Sequence, residues 1–545
     1  KMLCAVRLIR SLVTRTKRLG TSMPSRFSPV KVGPWTGGMR NSTGLGENIA
    51  DNEVYDLTNL EVDLDGSLVN RPAVINLPLL QPDGVTPQTG TTGIRVLGRY
   101  IPNDGRIFLV VSFAGTVRLL AAATGVLNAV TATADPGAVI QYNNKLWVIP
   151  KPGSANQGGY FDATSPVITW TAVAAIPQGE SAVLYKERIF VGCGISATSN
   201  TARVRFCAVG DPLVWNGADN FDVSPGDGEK LVDMVAVAND IIILKEHSTW
   251  RFTYSKLPSQ ADLSNVDRRI GAPAANCAVV YNSNTVYVLH DNAVYELVNN
   301  NYKRISAPVA MKQILDPTLN SLDTYGLTLF RDRLFVRYYS NLYVYSLRVQ
   351  RWSRWDTTRK FSKIVVIPTA SLGLDTAYMH SASSSDPGKV YLFRDDRING
   401  VGSSESFDCT FQTKVMNFDI PQGFKAISHG GLDVASSGNL STTIKIPNSA
   451  ENNTWDYEAA HFIWSDPGNW DDQDQTIYTT MVAPAAGEYN VKFVKSIQRK
   501  FRFRTCYFVF TISAIASTNG ADSSVKIVDM VVFLREAQQV PKETN

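Results

Sequence analysis

Short runs of alternating hydrophobic and polar residues recur along the chain and predict β-hairpins. The run "NTVYVLHDNAVYEL", residues 284–297, reads as strand, tight turn and strand, and "DRLFVRYYSNLYVYSL", residues 332–347, repeats the pattern. Successive side chains of a strand point to opposite faces, so this alternation indicates strands with one buried face. The turns "HDNA" and "YSNL" carry Asn or Asp, which tolerate the positive φ angles that tight hairpin turns need.

The same pattern, a polar or glycine lead-in followed by a short alternating run, begins at seven points. The starts are Gly105, Lys145, Glu187, Asp240, Asn284, Asp332 and Gly388. Their separations are close to the repeat length of four-stranded propeller blades, which is roughly 40 to 50 residues. A single blade cannot bury its two apolar faces alone, so blades stack around an axis and close into a ring. A β-sandwich would also produce alternating runs, but the regular spacing favours a β-propeller of about seven blades.

The regions on either side of the repeats have a different character. We assign residues 1–28 to a basic N-terminal arm, residues 29–92 to an N-terminal β segment that contributes to a platform, residues 93–400 to the propeller and residues 401–545, with longer alternating runs, to a C-terminal β-sandwich. Asp63, Asp65 and Ser67 resemble the start of a calcium loop, but the distal oxygen ligands are absent, so we predict an Asp65-Gly66 hairpin turn. The expected fold class is therefore all-β.

Composition narrows the function only slightly. The chain has 545 residues, with 53 Lys and Arg against 49 Asp and Glu, a balance that argues against extensive coating of nucleic acid. The six cysteines form no CxxC pair and the five histidines are scattered, so we expect no metal site and no cofactor. No stretch reaches the roughly 18 apolar residues of a membrane span, and we expect none.

The first 46 residues contain no acid and carry nine basic residues. Within them "MLCAVRLIRSLV" spaces apolar residues at helical intervals with arginines between. Three interpretations remain open: a targeting peptide, a locally folded amphipathic segment, or an arm that docks on a neighbouring subunit or on phosphates through Arg7, Arg10, Arg15, Lys17 and Arg18. The methionine at Met23 is an alternative start of the chain.

Two other stretches suggest surfaces. Residues 464–476, "WSDPGNWDDQDQT", concentrate acids between aromatics and predict an exposed loop that serves as a gate, a contact to a fibre or needle, or a solvated tip; its candidate residues are Asp466, Trp470, Asp471, Asp472 and Asp474. The run "RWSRW", residues 351–355, interleaves cations and aromatics as some nucleic-acid surfaces do. We favour tryptophans of an outer strand packed on the next blade, with cation–π contacts satisfying the arginines.

The chain lacks signatures of catalysis. Glu180, Glu187, Asp211 and Asp227 are available as paired carboxylates for glycan cleavage, but nothing in the sequence pairs them, and turn formation explains Asp211 and Asp227. No Gly-x-Ser-x-Gly elbow, HExxH motif or phosphate loop is present. We therefore expect no enzymatic activity and no catalytic residue.

Three segments carry a resemblance to a known family. "NLEVDLDGSLVNRPA", with Asn59, Gly66, Arg71 and Pro72, resembles the opening of tail nozzle, or tail tubular protein B-like, proteins of short-tailed bacteriophages. "VRFCAVGDPLVWN" is similar to their Gly-Asp-Pro-x-x-Trp sequence, here Gly210, Asp211, Pro212 and Trp215. The blade led by Gly271 is similar to one that these proteins share with packaged-DNA stabilisation proteins. The basic arm and the Asn292-Ala293 hairpin depart from the family pattern.

The resemblance implies a structural, non-catalytic virion protein. It would form a homo-oligomeric ring, expected to be a hexamer, below portal and adaptor proteins and in contact with tail fibre or needle proteins. Double-stranded DNA would be retained and then pass through the lumen without sequence specificity. The expected location is the phage tail, after assembly in the host cytoplasm. The alternative is a receptor- or glycan-binding propeller at a tail tip, and a glycan-cleaving enzyme is the third possibility.

Overall fold

The computed structural model describes residues 28–42, 49–72, 74–89, 94–163, 167–193, 201–254, 261–314, 324–355, 363–367, 376–380, 389–393, 407–416, 425–436, 440–445, 477–481, 487–493, 508–514 and 525–536. Within these residues the regular structure consists of strands, and no helix occurs among them. Six strands come first: β1 (Ser28–Val32), β2 (Gly38–Met39), β3 (Glu53–Thr58), β4 (Leu60–Val62), β5 (Leu68–Asn70) and β6 (Val74–Leu77).

The next 27 strands, β7 to β33, follow one another as antiparallel blades, each starting at its innermost strand. Blade 1 contains β7 (Arg95–Tyr100), β8 (Phe108–Phe113), β9 (Thr116–Ala121) and β10 (Leu127–Thr133). Blade 2 contains β11 (Pro136–Tyr142), β12 (Lys145–Pro150), β13 (Gly159–Asp162) and β14 (Thr169–Ala172). Blade 3 contains β15 (Ser181–Tyr185), β16 (Arg188–Gly192), β17 (Arg203–Phe206) and β18 (Asn220–Asp222).

The remaining blades continue this order. Blade 4 contains β19 (Leu231–Ala236), β20 (Ile241–Lys245), β21 (Thr249–Thr253) and β22 (Asp262–Asp267). Blade 5 contains β23 (Ala278–Asn282), β24 (Thr285–His290), β25 (Ala293–Val298) and β26 (Asn301–Arg304). Blade 6 contains β27 (Tyr325–Phe330), β28 (Arg333–Tyr338), β29 (Asn341–Ser346) and β30 (Arg351–Trp355), and blade 7 begins with β31 (Ile364–Ile367), β32 (Thr376–His380) and β33 (Val390–Phe393).

The N-terminal strand β6 completes blade 7. It pairs antiparallel with β33, with Val74 opposite Phe393 and Leu77 opposite Val390, so it is the outermost strand of that blade. The seven innermost strands contact one another in order, and β31 contacts β7. The ring therefore closes, and the predicted propeller of about seven blades is confirmed with seven.

Three details of the sequence interpretation differ from the structure. We assigned residues 29–92 to a segment that contributes to the platform, and β1 to β5 do so, but β6 belongs to the propeller, because blade 7 has three strands of its own and β6 covers the edge of β33. Six of the seven repeated runs begin at the second strand of a blade, but the run from Gly388 forms β33, the third strand of blade 7. The positive φ angle in "HDNA" lies at Asp291, as expected, whereas in "YSNL" it lies at Tyr339 rather than at Asn341.

The platform combines strands from both ends of the chain. The C-terminal strands are β34 (Asp408–Thr413), β35 (Lys425–Ser436), β36 (Leu440–Lys445), β37 (Ile477–Met481), β38 (Gly487–Phe493), β39 (Val509–Ala514) and β40 (Val525–Glu536). One sheet has the order β38-β35-β40-β5-β4, with β1 beside β40. The second runs outward from blade 6 in the order β30-β3-β34-β39-β36-β37, with β2 beside β3.

The two platform sheets share a hydrophobic core. Leu60, Leu68 and Met530 of the first sheet are fully buried in the same cluster as Phe411 and Phe510 of the second. The rings of Phe411 and Phe510 stack with centroids 4.5 Å apart. The C-terminal region is therefore part of a β-sandwich that also includes strands from the N-terminal segment. In the described part of the chain, no helix is long and apolar enough to cross a membrane.

Candidate functional site

The motif residues Asn59 and Arg71 meet in a buried junction between the propeller and the platform. The Arg71 side chain has no exposed surface, and its Nε donates a hydrogen bond of 2.8 Å to Asn59 Oδ1. The guanidinium lies 3.7 Å from the ring centroid of Phe407 and 5.6 Å from that of Trp355. A buried cation of this kind is stabilised by hydrogen bonds and by the negative faces of the rings.

Asn59 holds the three chain segments of this junction together. Its φ angle is +60°, a conformation that Asn tolerates better than most residues. Its Nδ2 donates to the Asp408 carbonyl at 2.7 Å, its backbone N–H donates to the Arg354 carbonyl at 2.8 Å, and its own carbonyl accepts the Arg71 N–H at 3.0 Å. Asn59, between β3 and β4, thus joins the segment after β5, the outer strand of blade 6 and the platform strand β34.

Ion pairs strengthen the same contact. Arg333 of blade 6 binds the Glu61 carboxylate through Nε and Nη2 at 2.9 to 3.0 Å, and both side chains are largely buried. Arg354 Nη2 donates to Asp56 Oδ2 and to Thr58 Oγ1, each at 2.8 Å. Because β3 also continues the sheet of blade 6, backbone and side-chain bonds both link the two domains.

The "RWSRW" run forms β30, and its tryptophans pack as predicted. Trp355 lies 5.5 Å from Phe393 of blade 7, and Trp352 Nε1 donates to the Ile305 carbonyl, which follows blade 5. The prediction that cation–π contacts satisfy the arginines of this run was wrong. Arg354 binds Asp56 instead, and Arg351 Nε donates to the Thr36 carbonyl at 2.5 Å, because the platform lies against this edge of blade 6.

The Asp65-Gly66 turn joins β4 and β5, as the sequence predicted. Gly66 adopts a φ angle of +80°, which a side chain would disfavour, and Asp65 Oδ1 accepts bonds from the Ser67 hydroxyl and N–H. Burial alone would raise the pKa of Asp65, but hydrogen bonds from Lys526 and Ser67 lower that pKa to about 2. Lys526 lies in β40, so the turn is fixed to the platform sheet.

The Gly-Asp-Pro-x-x-Trp motif forms the turn between β17 and β18 of blade 3. The Gly210 N–H donates to the Glu187 carbonyl at 2.9 Å, Asp211 Oδ1 accepts the Leu213 N–H at 3.0 Å, and Trp215 Nε1 donates to the Pro212 carbonyl at 2.7 Å. The Trp215 ring packs against the apolar cluster shared by blades 2 and 3. The motif therefore caps an interface between blades.

Gly271 lies where two backbones meet. A Cβ atom at this position would come within 2.2 Å of the Lys245 carbonyl oxygen, so no larger residue fits without a backbone shift. The Gly271 N–H donates to Nδ1 of the buried His290 at 3.3 Å. Burial lowers the pKa of His290, Asp291 raises it, and His247 lowers it. Through this hydrogen bond, His290 fixes the loop that contains Gly271 to blade 5.

One end of the axial channel contains ionisable groups that sequence reasoning missed. Asp233 of β19 is buried, and its carboxylate accepts bonds from the Ser181 hydroxyl of blade 3 at 3.1 Å and the Ala278 N–H of blade 5 at 3.2 Å. Burial raises the pKa of Asp233 to about 6, although these donors and Lys363 lower it. Asp233 thus joins three blades. A single acid inside the apolar run "LVDMVAVA" was the available signal.

Lys363, directly before β31, lies near the same end of the channel. Desolvation and the neighbouring charge of Arg95 lower the pKa of Lys363 to about 8, while the Asp233 carboxylate raises it. Blades 4 and 7 are on opposite sides of the ring, so these charges influence each other across the axis.

Two of the four carboxylates considered for catalysis bind nearby groups of the chain, and the other two lie apart from each other in the fold. Asp211 caps its own turn, and Asp227 pairs with the ammonium of Lys245, which is fully buried and also donates to the Val223 and Ser224 carbonyls at 3.1 Å. Glu187 lies in the turn after β15, and Glu180 precedes that strand. Among the described residues, no group of three His, Cys, Asp or Glu side chains could hold a metal ion.

The basic-arm residues and the acidic candidate loop lie outside the described residues. Their proposed roles, docking through Arg7, Arg10, Arg15, Lys17 and Arg18 and gating through residues 464–476, therefore stay predictions.

Comparison with known proteins identifies no family for this chain. No family model matches it, and no curated protein matches it. Among solved structures, it is similar to a streptogramin B lyase, with a TM-score of 0.39 and 12% identity over 59% of this chain and 97% of the other. It is also similar to the WD40 domain of Pan2 from Neurospora crassa, with a TM-score of 0.36 and 8% identity over 61% and 98%. A luciferin-regenerating enzyme matches with a TM-score of 0.32 and 12% identity over 61% and 97%.

The fold and its junctions define a class of protein. The chain is a seven-bladed β-propeller joined to a β-sandwich platform. The activities in the names of the matched structures say nothing about this chain at such low identity.

Proposed function

We propose that the chain is a structural component of a bacteriophage tail that assembles as a homo-oligomeric ring and serves as a nozzle or hub. The proposal rests on the resemblance of the Asn59 to Pro72, Gly210 to Trp215 and Gly271 segments to tail nozzle proteins. Double-stranded DNA would be retained by the ring and then leave through it. Portal and adaptor proteins would bind above, and tail fibre or needle proteins would bind at the other end.

The observation that best supports a structural role is the position of the motif residues. Asn59 and Arg71 join the propeller to the platform, Trp215 caps the interface of blades 2 and 3, and Gly271 allows the close approach of blades 4 and 5. Each motif therefore stiffens a connection between parts of the fold. Rigid connections suit a subunit that keeps its shape while DNA passes under load.

The conduit in this proposal is the space enclosed by several copies. A ring of subunits arranged around a wide opening would hold DNA without base contacts, and phosphate repulsion in a neutral or acidic lumen would let it slide.

Electron microscopy tests the proposal. The purified chain, or virions that contain it, should show closed rings with one opening wide enough for a duplex, and mass photometry should give a single oligomer with six subunits expected. A monomer at every concentration tested, together with absence of the chain from tails, would reject it. Deleting residues 1–22 should reduce ring formation without changing the thermal unfolding of the subunit, and unchanged assembly would reject the docking arm.

A further inference from the structure

A cavity of about 580 Å³ opens at the end of the axial channel opposite to Asp233 and Lys363. It lies where the innermost strands of blades 1, 2 and 3 end, and Arg99, Tyr142 and Leu184 are among its lining residues. Small-molecule sites commonly have volumes of roughly 300 to 1,000 Å³, mostly apolar walls and a few well-placed polar groups. The cavity has the volume of such a site, but it is open to solvent and polar groups form about half of its lining.

Arg99 is the charged side chain among the residues that line the cavity. It is exposed, and its Nη1 donates a 2.8 Å bond to the Val366 carbonyl of blade 7, which holds the guanidinium against the channel mouth. A guanidinium carries five N–H groups, so a bond through one of them leaves a planar set of donors for a ligand. Carboxylates match this set with two parallel bonds.

The remaining lining supplies an apolar wall and a polar rim. Val139, Ile140 and Leu184 form the apolar part. The rim carries the Tyr142 ring and the Asn143 side chain, whose Nδ2 donates to the Gly210 carbonyl at 3.2 Å. The Gln141 amide is committed to the backbone of Ile101, to which it both donates and accepts. These bonds fix the rim in place before any ligand arrives.

We propose that this cavity binds a small organic carboxylate, with the acid group on Arg99 and a ring-sized body against the apolar wall and Tyr142. The chemistry fits an acidic sugar and also an aromatic acid, and the experiment separates the two. Burial and then the charge of Glu187 raise the pKa of Tyr142, but Glu187 does not line the cavity. The proposal uses a single propeller and does not depend on ring formation, so its failure would leave the proposed function unaffected.

Isothermal titration calorimetry on the full chain tests the site with glucuronate, N-acetylneuraminate, benzoate and uncharged glucose. One or more of the acids should bind saturably and at least about tenfold more tightly than glucose, since a charge-assisted bond of more than about 1.4 kcal/mol gives a factor of ten. Binding of the sugar acids alone would identify an acidic saccharide, and binding of benzoate alone an aromatic acid. No saturable binding of any acid, or equal binding of glucose, would overturn the proposal.

Substitutions test whether the acid binds in this cavity. Arg99→Ala should weaken acid binding at least tenfold, whereas Arg106→Ala, which removes an arginine paired with Asp104 outside the cavity, should leave it unchanged. If Arg99→Ala destabilises the fold, Asn143→Asp provides the decisive variant, because a carboxylate at the rim repels the ligand and Asp tolerates the positive φ of this position. Unchanged affinity in both variants would overturn the assignment.

Discussion

Blades 6 and 7 each take a strand from the same N-terminal segment, with different results. In blade 7, β6 pairs antiparallel with β33 and supplies the missing fourth strand. Blade 6 already has four strands, and β3 adds parallel to its outer edge and carries the sheet into the platform. The short segment from β3 to β6 therefore both closes the ring and attaches the second domain. The role of each strand depends on the blade edge with which it pairs: β6 completes a three-stranded blade, and β3 extends a four-stranded one.

The contacts that β6 makes with blade 7 also differ in chemistry from those that join the platform to blade 6. Val74 of β6 is fully buried in an apolar cluster with Phe335, Trp355 and Phe393. At blade 6 the contacts are charged, through Arg71, Arg333 and Arg354. Trp355 belongs to both, since it touches Phe393 on one side and Arg71 on the other. We expect the apolar seam to contribute most to stability and the charged junction to fix the orientation of the platform.

The largest effect is expected from Val74→Asp at the blade 7 seam. A buried carboxylate in this cluster should cost about 4 kcal/mol of unfolding free energy, because the side chains that surround it are apolar. Urea denaturation of the variant measures the loss. Val85→Asp is the matched control, since Val85 is 79% exposed in the loop after β6, and it should change stability by less than about 0.5 kcal/mol. Equal stability of the two variants would show that β6 does not hold the ring closed.

Arg71→Ala should weaken the junction between blade 6 and the platform without opening the propeller at blade 7. It removes the bond to Asn59 and the contact with Phe407, and it leaves a cavity, so we expect a loss of about 3 kcal/mol. The propeller should stay closed while the platform loosens, which calorimetry would record as two thermal transitions and limited proteolysis as preferential cleavage of the platform. Arg268→Ala, at an exposed position, is the control. A single transition at an unchanged temperature would contradict the proposed role of the junction.

The repeated hairpins were predictable from the sequence because their information is local. The alternation and the turn residues lie within one hairpin, and six of the seven runs identified the second strand of a blade. The partner of β6 was not predictable, since "VINL" matches several sheet edges equally well and its partner β33 lies at the far end of the propeller sequence. The failure concerns long-range pairing, which depends on which edge remains uncovered once the other blades have formed.

The residues of the candidate site also divide into those with local partners, which the sequence predicts, and those with distant partners, which it does not. The Asp65-Gly66 turn and the Gly-Asp-Pro-x-x-Trp turn are local, and the sequence predicted turns at both. The partners of Arg71, Arg333 and Arg354 come from distant segments, so the arginines of "RWSRW" were given the wrong partners. Asp233 gains its Ser181 and Ala278 partners only because blades 3, 4 and 5 pack side by side. No motif spacing contains that information.

The stability contributed by Asp233, on the innermost strand β19, should depend on pH, whereas the apolar contacts of β6 should not. Burial raises the pKa of Asp233 to about 6, so the folded state holds a proton that the unfolded chain releases near pH 4. This group's contribution to stability is fully present below pH 4 and is lost as the pH rises through 6. Between pH 4 and pH 7 the stability of the wild type relative to Asp233→Asn should fall by about 2 kcal/mol. A constant difference across this range would show that Asp233 titrates normally.

The smallest predicted effect is the difference in coupling energy between a buried and an exposed ion pair of the platform. Arg333 and Glu61 form a bidentate pair with side chains 12% and 8% exposed, whereas Lys526 and Asp65 are 38% and 56% exposed. A double-mutant cycle with Arg333→Met and Glu61→Gln should give a coupling energy of about 1.5 kcal/mol, because little solvent screens the pair. The Lys526→Met and Asp65→Asn cycle should give less than about 1 kcal/mol and should fall further in 0.5 M salt. If the exposed pair coupled more strongly, the platform would be held mainly by the Asp65-Gly66 turn, and the junction at blade 6 would have the lesser role.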